Sequence, residues 1–119
     1  MAQYEHLPIY RTAMQLAVHV ETVVRGFPRY MKYTLGTDLR RQAQAILGMI
    51  VRANSTRERR PVLLELRLTI EQLMVLARLC QEAKGFRTFT GFVSTVELAG
   101  QVARQNEGWL RSSGGAGSA

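Results

Sequence analysis

The chain has 119 residues, 46% of them hydrophobic, which fits a single domain with a buried core. Glycine and proline are too few for a disordered chain, and no apolar run approaches the roughly 18 residues that suffice to span a membrane. A formal net charge of +7 and a pI near 10.5 favour an anionic partner, whether nucleic acid, acidic protein or membrane surface.

The cysteine content and the N-terminal residues indicate the cellular compartment in which the protein is expected to occur. Cys80 is the only cysteine, so the chain can form neither an intrachain disulfide nor a cysteine-rich zinc site. It lies in an apolar helical run, where we expect a small core residue, and a reducing, cytoplasmic compartment fits. The opening residues MAQYEHLPIY lack a basic segment followed by an apolar one, so we expect no signal peptide.

The first predicted helix covers residues 8–25. Pro8 suits the first helical turn, because the N–H that proline lacks would have no partner there. Apolar residues share one face at helical spacing: Ile9, Ala13, Leu16, Ala17, Val20 and Val24. His19 falls on the opposite, polar face, where we expect a surface histidine. The segment GFPRYMKY then ends the helix through Gly26 and Pro28.

The second predicted helix covers residues 34–54. Its buried stripe consists of Leu35, Leu39, Ala43, Ile46 and Ile50. Its far side carries Arg41, Ala45, Gly48 and Arg52. The two small residues between the arginines would let a partner come close. The alternative is that Gly48 only permits tight packing between helices.

The third predicted helix, residues 61–84, is apolar on two sides. One broad stripe contains Leu63, Leu66, Ile70, Leu73, Met74 and Ala77, and a second contains Leu64, Leu68, Val75 and Leu79. A helix in a lone four-helix bundle buries one stripe. We therefore infer that the chain self-associates through the second stripe. The alternative is that this helix is simply the most central one.

The fourth predicted helix follows KGFRT, in which Gly85 stops the third helix and Thr88 is an N-cap. It extends to about Arg111, and its inward residues are Phe89, Phe92, Val93, Val96, Ala99, Ala103 and Leu110. The last residues, SSGGAGSA, are typical of a flexible tail. The sequence thus predicts a helical domain at residues 1–111 and a tail at residues 112–119.

These helices predict the fold class. No segment alternates with period two for more than a few residues, so we expect no sheet. Short connections favour antiparallel neighbours, and the prediction is an all-α, antiparallel up-down-up-down four-helix bundle.

The net charge is concentrated in one part of the chain. Between Arg25 and Arg60, nine basic residues stand against two acidic ones, and the resulting +7 equals the net charge of the whole chain. The segment RANSTRERR alone holds four of the nine. We predict that the nine contact nucleic acid: Arg25, Arg29, Lys32, Arg40, Arg41, Arg52, Arg57, Arg59 and Arg60. The alternative is that they are merely solvated residues in and beside connections.

Arginine dominates this charge. Fourteen of the sixteen basic residues are arginine, which can hold phosphate oxygens through two N–H groups at once. In an antiparallel bundle the basic connections on either side of the second helix lie at its opposite ends, and Arg41 and Arg52 can join them into a stripe. Tyr30 and Tyr33 sit among the charges and could stack on bases, although we favour a role in capping the core.

The sequence offers no constellation for catalysis. His6 and His19 are far apart, the Glu-x-x-His pairs of di-iron bundles are absent, and there is no P-loop, GxGxxG or GxSxG motif. Five glutamates are predicted to pair with surface arginines: Glu65, Glu71, Glu82, Glu97 and Glu107. We therefore expect no enzymatic activity, no catalytic residue, no metal site and no cofactor.

Several stretches together resemble a known family. They are HLPIYRTAMQLAV in the first helix, FPRYMKYTLGTDLRRQA and RANS around the second, and AKGFRTFTGFVSTVELAGQVARQNEGWL in the last. They are similar to the accessory variability determinant (Avd) proteins of diversity-generating retroelements, and to the wider four-helix-bundle family that includes proteins encoded in rRNA intervening sequences. The resemblance covers about residues 5–111. YTLGTDLR and the terminal EGWLRS are its most specific parts.

The resemblance implies a homopentameric barrel of four-helix protomers with a basic surface, encoded by a bacterium or phage. Such proteins bind RNA or DNA and associate with the reverse transcriptase, which makes mutagenised cDNA from a template RNA. The implied role is a non-catalytic accessory subunit, with RRQAQAILGMIVRANSTRERR in the basic surface. The alternative is an oligomeric scaffold of the rRNA intervening-sequence type that binds only protein and has no polymerase partner.

Overall fold

The computed structural model of the protein describes residues 3–118, with side chains for residues 4–113. Within these residues, a 3₁₀ turn at Gln3–His6 precedes five α-helices: α1 (Pro8–Arg25), α2 (Arg29–Lys32), α3 (Leu35–Ser55), α4 (Arg60–Glu82) and α5 (Phe89–Ser118). No strand occurs in this part of the chain, and the prediction of an all-α fold is confirmed.

The four long helices correspond to the four predicted ones. Helices α1, α3 and α4 begin and end within two residues of their predicted bounds, and α2 is a single turn inside GFPRYMKY. Helix α5 continues to Ser118, past its predicted end near Arg111. No helix end therefore marks the predicted boundary between a domain at residues 1–111 and a tail at residues 112–119. Residues 1, 2 and 119 lie outside the described part.

The long helices pack side by side around a shared core. Helix α1 packs against α3 and α5, and α4 packs against the same two helices. Helices α1 and α4 therefore occupy diagonal positions. The single turn α2 lies against α3, at the end of the bundle where α1 finishes and α3 begins.

Every long helix contributes large apolar side chains to the core. Those that are almost wholly buried are Leu16, Val20, Leu39, Ile46, Ile50, Leu63, Leu66, Ile70, Leu73 and Val102. Full burial of one such side chain contributes about 1.5–3 kcal/mol relative to exposure. All of these except Val102 belong to the predicted stripes, so helical periodicity located the core correctly on α1, α3 and α4.

Helix α5 presents most of its predicted face to the core: Phe92, Ala99 and Leu110 are buried, and Val93, Val96 and Ala103 pack against the core. Phe89 is 66% exposed although it was predicted to face inward, because it is the first residue of the helix and lies at the end of the core. Thr95, Val102 and Asn106 are also fully buried, although they were not predicted to face inward. The Asn106 Nδ2 donates a hydrogen bond to the Leu63 carbonyl at 3.0 Å, whereas its buried Oδ1 has no hydrogen-bond partner within residues 4–113.

His19 is not a surface histidine, and this prediction is wrong. Its Nε2 lies 2.9 Å from Thr95 Oγ1 and 3.1 Å from the Gly91 carbonyl oxygen, and the side chain is only partly exposed. A carbonyl can only accept, so the bond to Gly91 requires a hydrogen on Nε2. Helix α5 covers the polar flank of α1, which the pattern of a single helix does not reveal.

Aromatic and sulfur side chains close the core at the end that contains α2. The Phe86 ring lies edge-on to the rings of Phe27 and Phe92, with centroids 5.2 and 5.6 Å apart, and Met31 is buried beside them. Tyr30 and Tyr33 are 74% and 73% exposed, so the preferred interpretation that they cap the core is wrong.

Helix α4 ends in a Schellman motif. The Gly85 N–H donates to the Cys80 carbonyl at 2.7 Å and the Lys84 N–H to the Gln81 carbonyl at 3.0 Å. The left-handed residue is Lys84, with φ of 64°. Gly85 serves close packing instead, since a Cβ there would lie 2.7 Å from Met31 Cε.

Replacing Lys84 by glycine should therefore stabilise the protein. A side chain in the left-handed region costs roughly 1–2 kcal/mol, partly offset by the greater unfolded-state entropy of glycine, so we expect a net gain of about 0.5–1 kcal/mol. Urea unfolding measures it. Gly85→Ala serves as the neighbouring control and should lower stability because of the contact with Met31. A less stable Lys84→Gly variant would contradict the motif.

Cys80 is a buried core residue, as predicted. Burial, and after it the charge of Asp38, raises the pKa of the Cys80 thiol to about 11. Because the thiolate is the reactive form, we expect Ellman's reagent at about pH 8 to leave the native protein unmodified and to react fully after unfolding in urea. Rapid modification of the native protein would show that Cys80 is accessible.

Candidate nucleic-acid interface

The nine basic residues predicted to bind nucleic acid are distributed along and around α3. Three precede it, three lie on it and three follow its end: Arg25, Arg29 and Lys32; Arg40, Arg41 and Arg52; Arg57, Arg59 and Arg60. Helix α3 has 21 residues and is therefore roughly 31 Å long. The structure thus places three of the nine before α3, three after it and three on the helix between them.

The group before α3 gains two further basic residues through the fold. The connection between α4 and α5 reaches the same end of the bundle, because the Phe27 and Phe86 rings are in contact and a Cβ on Gly26 would lie 3.4 Å from Arg87 Cβ. We call this set the α2 end: Arg25, Arg29, Lys32, Lys84 and Arg87. Sequence reasoning missed Lys84 and Arg87, since they lie outside the segment that carries the net charge.

Carboxylates do not neutralise the α2 end. Within residues 4–113, none of its five basic side chains forms an ion pair. The exposed rings of Tyr30 and Tyr33 lie on and beside α2 among these charges. A base that stacks on an aromatic side chain contributes about 1–3 kcal/mol to binding. Unpaired cations beside exposed aromatic rings are the combination that single-stranded nucleic acids bind.

The group after α3 lies in the connection to α4. Arg57 and Arg60 are exposed, and neither forms an ion pair within the described side chains. The guanidinium carbon of Arg59 lies 5.6 Å from the centroid of the Trp109 ring, a cation–π contact that ties the connection to α5. Arg57 and Arg60 are therefore the freer pair at this end.

Arg59 and Arg60 lie at the N-terminus of α4, where the helix dipole disfavours positive charge. Arg59 is the N-cap of α4, Arg60 is its first residue, and the first turn contains no acidic side chain. The N-terminus of a helix carries partial positive charge, so cations there are unfavourable and anions are attracted. Arg59 and Arg60 therefore lower the local stability of α4 and add to the positive charge at its N-terminus.

Arg60→Glu should consequently raise the free energy of unfolding. Reversing a charge beside the helix dipole is expected to add about 0.5–1 kcal/mol at low ionic strength, with a smaller gain in high salt. Arg104→Glu, with the same charge change in the middle of α5, is the matched control and should show no such gain. Thermal unfolding at two salt concentrations distinguishes them, and a destabilised Arg60→Glu would refute the dipole conflict.

Two of the nine predicted residues are paired with carboxylates. Arg40 Nε lies 2.8 Å from a Glu21 oxygen, and Arg52 Nη2 lies 2.6 Å from a Glu65 oxygen. The hydrogen bond to Glu21 raises the pKa of Arg40 further above its usual value. These exposed pairs join α3 to α1 and to α4, respectively, so their arginines have less free charge for a phosphate.

Three of the five glutamates predicted to pair with arginines do so. Glu65 binds Arg52, Glu107 binds Arg67 at 2.6 Å, and Glu82 lies 3.8 Å from Arg78 one turn away on α4. The hydrogen bond from Arg67 lowers the pKa of Glu107. The Arg67–Glu107 pair joins α4 to α5.

The outer face of α3 carries two small residues, Ala45 and Gly48, between Arg41 and Arg52. Arg41, Ala45, Gly48 and Arg52 are all exposed, as predicted. A Cβ on Gly48 would meet no atom within 4 Å, so Gly48 does not serve helix packing within the protomer. That alternative interpretation is wrong, and the face stays open to a partner.

Two apolar surfaces lie on the diagonal helices. The α4 stripe, defined as Leu64, Leu68, Val75 and Leu79, is 38–70% exposed, and the α1 patch, Met14 and Val18, is 38% and 58% exposed. Helix α4 packs against two long helices, as each of the others does, so the alternative that it is the most central helix is wrong. Both surfaces face away from the core and, because their helices are diagonal, point to opposite sides of the bundle.

Comparisons with known proteins leave the family open: no protein-family model matches the chain, and no curated protein matches it.

Among the described side chains, no group of three His, Cys, Asp or Glu residues is placed to hold a metal ion. No helix in the described part of the chain combines the length and apolar character needed to cross a membrane.

Proposed function

We propose that the protein is a non-catalytic accessory subunit of a diversity-generating retroelement. In this role it docks template RNA or cDNA on its basic residues, and it associates with the reverse transcriptase during mutagenic retrohoming. The observation that carries the nucleic-acid part is that seven of the nine predicted basic residues form no ion pair within residues 4–113. Arginines that are not paired with carboxylates can bind the phosphates of a nucleic acid, and the counterions released from the nucleic acid favour binding.

The retroelement part of the proposal rests on the resemblance over residues 5–111. Its most specific segment, YTLGTDLR, begins at Tyr33 and leads into α3, beside the α2 end. The polymerase partner, a bacterial or phage origin and a cytoplasmic location come from the same resemblance. The polymerase supplies the chemistry, so the chain itself needs no catalytic residue, metal or cofactor.

For the helices we propose an antiparallel up-down-up-down arrangement. Arg52, near the end of α3, pairs with Glu65, near the start of α4. Further contacts join the first turns of α4 to the later part of α5, through the Leu63 carbonyl and Asn106. Contacts between the end of one helix and the start of the next are those that antiparallel neighbours with short connections make.

The two apolar surfaces support assembly into a closed ring. Because they face opposite sides of the bundle, the α4 stripe of one copy can cover the α1 patch of the next. Such head-to-tail contacts close into a ring when the rotation between copies fits, and the resemblance indicates five copies. A pentamer would carry five times the +7 of one chain, a formal +35, and would bind nucleic acid with strong salt dependence.

A second candidate function follows from the exposed α4 stripe itself. An apolar surface of this kind also suits a protein partner. The protein would then be an oligomeric scaffold of the rRNA intervening-sequence type, without a polymerase partner, and its basic residues would be solvated. Salt-dependent RNA binding distinguishes the two functions, because only the first requires it.

The nucleic-acid proposal predicts that log K for single-stranded RNA falls linearly with log salt between about 50 and 200 mM. Arg57 and Arg60, both changed to Gln, should weaken binding and reduce the slope by about 1–2. Arg78 and Arg104, both changed to Gln, remove the same charge away from this connection and should change affinity less. Fluorescence anisotropy measures all three proteins. Salt-independent or absent binding by the wild type would favour the scaffold.

The ring proposal predicts complementation between two variants. Val18→Glu damages the α1 patch and Val75→Glu damages the α4 stripe, so each protein alone should lose the assembly seen by light scattering. Their equimolar mixture should form a dimer, because one variant keeps an intact stripe and the other an intact patch. Normal assembly of Val18→Glu would remove α1 from the interface. A wild-type monomer at micromolar concentration would contradict self-association.

A further inference from the structure

A pocket of about 310 Å³ opens at the α2 end, where the end of α1 meets the connection between α4 and α5. Four polar side chains and an apolar wall line it: Thr22, Arg25, Arg87 and Thr88, with Val23 and Phe86. Arg25 belongs to the predicted nucleic-acid contacts, whereas Arg87 comes from a distant part of the chain. The fold therefore places two arginines at one small concave site.

Two glycines complete the wall of this pocket. A Cβ on Gly26 would lie 3.4 Å from Arg87 Cβ, and a Cβ on Gly91 would lie 3.3 Å from both Val23 Cγ1 and Thr88 Oγ1. An alanine at Gly91 would bring its Cβ into tight contact with Val23 and Thr88, whereas one at Gly26 would make an ordinary van der Waals contact with Arg87. The stem of the Arg87 side chain lies close to the end of α1.

The chemistry of the lining residues selects an anion. None of them is a carboxylate, and neither arginine forms an ion pair within the described residues. Thr88 Oγ1 accepts the Gly91 N–H at 3.0 Å, so its own hydrogen can be donated to a ligand. The site combines a hydroxyl donor with two guanidinium groups, whose charge-assisted hydrogen bonds to phosphate oxygens are strong.

We propose that this pocket binds a phosphate monoester: the terminal phosphate of an RNA or DNA strand, with the end nucleoside against Val23 and Phe86. A monoester carries about −1.5 to −2 charge at neutral pH, which matches two arginines better than the single charge of an internal diester. The volume is at the lower end of the roughly 300–1,000 Å³ of small-ligand sites. Attachment of the phosphate to a strand rests on the proposed function, whereas monoester recognition does not.

Three single-stranded RNA probes of one sequence test the proposal: one with a 5′-phosphate, one with a 3′-phosphate and one with neither. Fluorescence anisotropy at fixed salt should show about tenfold tighter binding of at least one phosphorylated probe by the wild type. Arg87→Gln should abolish this preference, so that this variant binds the phosphorylated and unphosphorylated probes with equal affinity, whatever its overall affinity for RNA. The Arg104→Gln control, which removes the same charge from the middle of α5, should retain the preference.

Equal affinity of the wild type for all three probes would overturn the proposal, as would a preference that Arg87→Gln leaves intact. If the wild type binds none of the probes, the proposed nucleic-acid function fails, and calorimetry with AMP decides on the pocket separately. Binding of AMP that Arg87→Gln eliminates, but Arg104→Gln does not, would support a monoester site for free nucleotides. No AMP binding by the wild type would overturn the pocket as well. Circular dichroism confirms that each variant is folded.

Discussion

The burial of one apolar stripe from each of four long helices is the interaction on which the rest of the structure depends. Because Leu39, Ile46 and Ile50 face the core, the opposite side of α3 has to face outward, and it carries Arg41 and Arg52. The same burial brings the connections to the two ends of the bundle. The core therefore decides which side of α3 carries these arginines and which end of the bundle each connection reaches.

A few polar contacts set how α5 lies against its neighbours. Asn106 donates to the Leu63 carbonyl of α4, and Thr95 meets His19 of α1. A buried polar group without its partner costs about 1–3 kcal/mol, so a shift of α5 along either neighbour would be penalised. His19 also lies 3.1 Å from the Gly91 carbonyl oxygen, so α1 contacts the first turn of α5, which follows Thr88 at the side of the pocket.

Basic residues at both ends of α4 occupy positions that are energetically unfavourable for them. Arg59 and Arg60 occupy the positive N-terminus of α4, and Lys84 adopts a left-handed conformation at its C-terminus. Most of a protein's local choices agree with its fold, and exceptions tend to occur at functional sites. In this protein the large apolar core offsets these costs, so basic residues can be kept at the ends of α4.

The sequence by itself determined the helices, most of the core and the concentration of charge, because helical periodicity and charge are local properties that need no knowledge of packing. It also identified the α4 stripe as a second apolar face, which a single four-helix bundle would leave exposed. Only the tertiary structure decided that Tyr30 and Tyr33 are exposed, that His19 contacts α5, and that Arg87 lies beside Arg25. Each of these depends on which helix faces which, and contacts between residues distant in the chain leave no periodic signal in either segment.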